Sequence, residues 1–119
     1  MTIQQIVEKI SEYIHQGKNL QAEEELYADD IISIEQDGYT VTGIEAVMAK
    51  TKAAFDNIEE FYGGGVTLAY VGPDSFLLKI EGDVKRKNSE RTKFEEFAYY
   101  EVKDGKIWRE HFFMNPMGK

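Results

Sequence analysis

Two glutamates stand where an apolar residue is expected. Glu110 lies between Trp108 and Phe112, and Glu96 lies between Phe94 and Ala98, each at an alternate position of a stripe that is otherwise hydrophobic or aromatic. A carboxyl withdrawn from water resists ionisation, and a carboxylate whose pKa approaches neutrality can take or give a proton at carbon. Two such groups close together can share one proton and act as acid and base of a single site. The competing expectation is an ion pair with Arg91, Lys93 or a helix lysine, or a strand register shifted by one residue.

The remaining chemistry-bearing residues offer less. The chain has no Cys and only two His, so thiolate nucleophiles and Cys- or His-rich metal sites are not expected, and no metal or cofactor is implied. His111 alternates to the outside of its strand, and His15 ends a helix where a cation suits the dipole. Neither is tied by spacing to a Ser or Asp, so a nucleophilic triad has little support. Gly63-Gly64-Gly65 precedes a strand and not a helix, which reads as a flexible turn and not as a phosphate cradle. Lys85-Arg86-Lys87, with Arg91 and Lys93, reads as a solvated hairpin tip.

These residues sit in a chain of 119, enough for one domain and one core. Hydrophobic residues make up 42% and Pro only 2 positions, which excludes a disordered chain. Fourteen Lys+Arg against 22 Asp+Glu give a net charge of -8, which repels phosphate backbones and anionic lipid. Nucleic acid and membrane are therefore not expected partners. The opening MTIQQIVEKI carries charge inside its apolar pattern, unlike a leader peptide, and a cytoplasmic location is expected.

The elements that position the glutamates follow from periodicity. Ile3, Ile6, Val7, Ile10, Tyr13 and Ile14 mark an amphipathic helix, with Thr2 and Gln5 as a capping box and Gly17 at its end. Asn19 opens a shorter helix reaching Tyr27, with Glu23, Glu24 and Glu25 on its wet side. Ile31 to Gln36 reads as a strand in which Ile32 and Ile34 face the core, which turns Glu35 outward. Asp37-Gly38 then makes a two-residue turn into Tyr39 to Val41. Thr42 and Glu45 cap a third helix ending near Asn57 or Ile58, with Ile44, Val47, Met48, Thr51, Phe55 and Ile58 on one face. Four strands follow, near Val66 to Val71, Phe76 to Lys85, Arg91 to Val102 and Lys106 to Met114. Helices followed by hairpin-linked strands give an α+β plan with the helices on one sheet face.

Tyr27-Ala28-Asp29-Asp30, then a strand, then Gly43 opening a helix, and finally Asp104-Gly105-Lys106-Ile107 leading into Arg109-Glu110 and Phe112-Phe113, resemble the SnoaL-like polyketide cyclase family. That family lies in the nuclear transport factor 2-like superfamily, with ketosteroid isomerase and scytalone dehydratase. The resemblance spans nearly the whole chain and implies a single domain over residues 1–119: a curved, mainly antiparallel sheet wrapped around the helices as a cone with a deep pocket.

What the resemblance implies for function is a cofactor-independent protein binding a small, largely apolar carbonyl compound, with carboxylate acid/base chemistry of the isomerase, cyclase or dehydratase kind. The alternative is a non-catalytic ligand-binding or dimerisation module whose cavity is filled by side chains. Glu35, five residues after Asp30, falls where ketosteroid isomerase has its general base. Glu35 and Glu110 are the implied catalytic residues, and Tyr13, Phe55, Glu96, Tyr100, Trp108, Phe112 and Met114 the implied ligand contacts. The two oxyanion donors of ketosteroid isomerase are replaced by Ile10 and Ala98, so steroid isomerisation is not expected, and Tyr13, Tyr100 or Trp108 would have to substitute. The same registration puts Phe97, Tyr99, Ile107 and Phe113 on the outer face, where a homodimer would cover them.

Overall fold

The computed structural model describes residues 1–116, with side chains described through Met114. Its elements, in order, are α1 (Ile3–His15), α2 (Asn19–Leu26), β1 (Tyr27–Ile34), β2 (Thr40–Thr42), α3 (Ile44–Asp56), β3 (Ile58–Val71), β4 (Ser75–Arg86), β5 (Arg91–Lys103) and β6 (Lys106–Pro116). The expected capping box at Thr2 and Gln5 forms in both directions. The six strands make one sheet in the order β2-β1-β6-β5-β4-β3, antiparallel throughout except where β1 runs parallel to β6. The three helices pack on one face of this curved sheet, so the α+β plan holds. The core lies between α1 and the sheet and includes Ile6, Ile10, Leu26, Ile31, Phe76, Leu78, Ala98 and Ile107.

Five local expectations need correction. Tyr27 ends no helix but starts β1, four residues before the anticipated strand. Within β1 the buried positions are Tyr27, Ile31 and Ser33, so the parity is the reverse of the Ile32/Ile34 reading. The β1–β2 connection spans five residues, with Glu35 N–H donating to the Tyr39 carbonyl and enclosing three of them, and not two. α3 is capped by Gly43 (φ 95°), with no side-chain cap from Thr42. Finally, Gly63-Gly64-Gly65 lies inside β3 and not in a turn. A Cβ on Gly64 would come within 2.3 Å of the Glu81 carbonyl oxygen, so the glycine permits a close strand approach beside a register shift.

A bulge in β6 sets which side chains face inward. Glu101 pairs with Arg109 but Val102 pairs with Ile107, leaving Trp108 as the extra residue. Inward alternation therefore runs Ile107, then Glu110, Phe112 and Met114. Ile107 is fully buried in the core, contrary to its expected place on the outer face. Trp108 is turned to that outer side, in a surface groove with Ile3 and Pro73, and not to the interior.

Candidate functional site

Cross-strand registration builds the interior in rows. Phe76, Tyr100, Glu110 and Ser33 lie opposite one another across β4, β5, β6 and β1. Leu78, Ala98 and Phe112 form the next row, Ile80, Glu96 and Met114 the third, and Gly82 with Phe94 the fourth. Gly82 is needed there because the Phe94 ring passes 2.4 Å from where a Cβ would stand. Against these rows the helices set residues at helical spacing: Ile10 and Ile14 from α1, Asn19, Ala22 and Glu23 from α2, and Lys50, Thr51, Ala54 and Phe55 from α3. Between sheet and helices lies an open-mouthed cavity of about 710 Å³. The interior is not filled by its own side chains.

Of the expected site residues, Glu35, Phe55, Glu96, Tyr100, Glu110, Phe112 and Met114 all line this cavity. Tyr13 does not: it packs at the margin of the core with its hydroxyl turned to Glu25. Trp108 does not either, for the reason given by the bulge. Glu35 reaches the cavity because the reversed parity of β1 puts Ile31, Ser33 and Glu35 on one side.

The deepest carboxylate is Glu110, only 1% exposed. The Tyr27 hydroxyl donates to its Oε1. The Tyr27 hydroxyl also shares a hydrogen bond with the Tyr100 hydroxyl. Ser33 provides a second hydrogen bond to Glu110. Its own oxygen accepts from Lys50 Nζ at 2.7 Å, which leaves the hydroxyl proton for Glu110. Burial nevertheless outweighs these bonds and raises the Glu110 pKa.

Lys50 also donates to Glu35 Oε1 at 2.6 Å, an ion pair at the cavity margin. Two of its three protons are thus committed, and the ammonium sits 5.5 Å from the centre of the Phe112 ring. Glu96 has no hydrogen-bond or ion-pair partner among the described residues, and burial pushes its pKa up to about 7. The charges of Glu35 and Glu110 add to that rise, while Lys50 and Arg86 oppose it.

Glu23 is the functional candidate that periodicity missed. It is 6% exposed and lines the cavity, so the acidic triplet of α2 is not wholly a solvated face. Thr51 donates to its Oε2 at 2.6 Å, but its buried Oε1 has no partner. Burial is again the main reason its pKa rises to about 7. Tyr27, Ser33, Lys50 and Thr51 were likewise unforeseen. Arg86 belongs to the cavity wall and not to a solvated tip, with its guanidinium 5.4 Å from the Phe94 ring centre. His111 lies on the outer face as expected, stacked on Phe113 at 4.3 Å.

Among the described residues no group of three or more His, Asp or Glu is arranged to hold a metal ion, and no helix is long and apolar enough to cross a membrane. The SnoaL-like domain profile matches residues 1–114. The chain belongs to the SnoaL-like family. A candidate SnoaL-like polyketide cyclase from Mesorhizobium loti is 38% identical and superposes with a TM-score of 0.87, covering 95% of this chain and 99% of that one. A second, from Jannaschia sp. CCS1, has 14% identity and a TM-score of 0.77 over 93% and 83% of the two chains. A protein from Catenulispora acidiphila with a ketosteroid isomerase-like fold, solved with trimethylamine, has 19% identity and a TM-score of 0.68 over 91% and 83%. No curated protein matches. The nuclear transport factor 2-like cone of the SnoaL-like family is thus the scaffold of the site.

Proposed function

We propose that this SnoaL-like protein binds a small, largely apolar carbonyl compound in its cavity and moves a proton on the carbon beside the carbonyl, without a cofactor. The observation that carries the reading is Glu96: a carboxylate on the cavity wall, free of partners among the described residues, with a pKa near 7. A base of that strength divides its time between accepting and returning a proton at neutral pH. Glu35 is less suited to the role because Lys50 already neutralises it. The third proton of Lys50 is the donor for the oxygen that gains charge as the proton leaves, and it takes over from the donors missing at Ile10 and Ala98. Glu110, with Tyr27 and Ser33, holds the polar end of this arrangement rigid.

The alternative of a filled, non-catalytic module is disfavoured by a cavity well above the roughly 300 Å³ at which ligand pockets begin. On the outer face Phe97, Tyr99 and Phe113 remain available for a homodimer, and Phe113 is 44% exposed.

The test is exchange of the α-hydrogens of 2-tetralone with deuterated buffer at pH 7, followed by proton NMR. Wild-type protein accelerates exchange above the buffer rate, and Glu96→Gln removes about two orders of magnitude of that acceleration. Loss of exchange in Glu35→Gln with Glu96→Gln unaffected would transfer the base to Glu35. No acceleration by the wild type would refute proton transfer at this site.

A further inference from the structure

We infer that the compound bound in the cavity carries a carboxylate, and that Arg86 is its anchor. The inference rests on the ligand-binding reading above and specifies the chemistry of the ligand.

The argument is one of charge and place. Among the described residues Lys50 and Arg86 are the Lys and Arg side chains that line the cavity, with His15 at the end of α1 beside them. Lys50 is committed to Glu35 and Ser33. Arg86 has no acidic partner within ion-pair distance among the described residues, although its neighbours do: Lys85 pairs with Glu59 and Arg91 with Asp83. A guanidinium left unpaired in a chain of net charge -8 is an anomaly. It is also held in place, lying over the Phe94 ring whose position Gly82 permits. A planar fork of donors presented on an aromatic platform is the arrangement that receives a carboxylate in two parallel hydrogen bonds.

The acidic look of the cavity does not oppose this. Glu35 is neutralised by Lys50, and burial keeps Glu23, Glu96 and Glu110 reluctant to ionise, so among the described Lys and Arg side chains of the lining Arg86 is the one whose charge is uncompensated. Glu81 stands in the outward row of β4 with Leu77 and Lys79. One cation balances one anion, and a doubly charged phosphate monoester would leave a surplus charge beside Glu96. An anion on Arg86 would also cancel one of the two charges, Lys50 and Arg86, that oppose the rise of the Glu96 pKa, making Glu96 a stronger base once the ligand is seated.

The test uses 1-naphthylacetic acid and its methyl ester as probes, binding being followed by naphthalene fluorescence at pH 6. Wild-type protein binds the acid about tenfold or more tightly than the ester. Arg86→Gln removes that preference, and Arg86→Lys keeps part of it. Equal affinities in the wild type, or a preference for the acid that survives Arg86→Gln, would overturn the Arg86 anchor and leave the cavity reading intact. Failure of both probes to bind wild type and variants alike would overturn the ligand-binding reading beneath it.

Discussion

Replacing Tyr27 by Phe tests the deepest part of the site. The substitution removes one oxygen from a side chain that is 6% exposed, and the ring can keep its place, so the effect is polar and not steric. Two partners lose their bond: the Tyr100 hydroxyl and Glu110 Oε1. While Glu110, whose pKa burial raises, holds its proton, the loss resembles that of a neutral hydrogen bond, about 1 kcal/mol. Once Glu110 ionises, the buried carboxylate lacks that donor, and the cost grows to about 2–3 kcal/mol. The sign follows from linkage. A group with a raised folded-state pKa loses stability as pH climbs, and removing the bond that holds that pKa down prolongs the loss, so the variant should fall further behind the wild type as pH rises past the wild-type folded-state pKa of Glu110. Urea unfolding read by the single Trp108 measures it, with a midpoint about 1 M lower for the variant at pH 8. A difference that is flat with pH, or that shrinks towards pH 8, would refute the claim that Tyr27 holds an ionisable Glu110.

Glu23→Gln is expected to stabilise the protein at pH 8. The folded-state pKa near 7 lies above the usual 4.5, so the wild type sheds stability as pH rises through that window, by up to about 3 kcal/mol, and an amide does not. Thermal unfolding at pH 5 and pH 8 reads it, and a variant less stable at both would show that Glu23 has a partner worth more than its burial costs. Phe113→Glu is expected to yield monomers by light scattering where the wild type gives dimers; a monomeric wild type would remove the outer-face interface.

What the sequence made legible follows a simple rule. Strand alternation assigns a side chain to one face only while the register is unbroken. From Phe76 to Tyr100 it is unbroken, and the stripe in which Glu96 stands between Phe94 and Ala98 faces inward as its alternation predicts. At Trp108 one extra residue flips the parity, so counting inward from Glu110, Phe112 and Met114 was right while Ile107 and Trp108 exchanged faces. No residue type announces that bulge. β1 failed for a related reason: hydrophobicity picked Ile32 and Ile34 as the buried pair, whereas the interior there is polar and takes Ser33 and Glu35.

The same blindness hid Glu23, and it explains why the site is harder to read than the fold. Periodicity sorts residues into apolar and polar faces and takes the polar face to be the wet one. A cavity lined with carboxylates breaks that identity, because α2 turns Ala22 and Leu26 to the core and Glu23 to an enclosed space one position away. What separates Glu23 from Glu24 is the neighbour it meets, Thr51 on α3, 28 residues further along the chain. Glu110 was visible because it interrupts an apolar stripe, but its partner Tyr27 is 83 residues away and sits in a segment read as helix. Local pattern therefore found the anomalous carboxylates on the strands, where burial conflicts with residue type. It could not find the donors that make Glu110 and Glu23 tolerable, because each of them is supplied by another element.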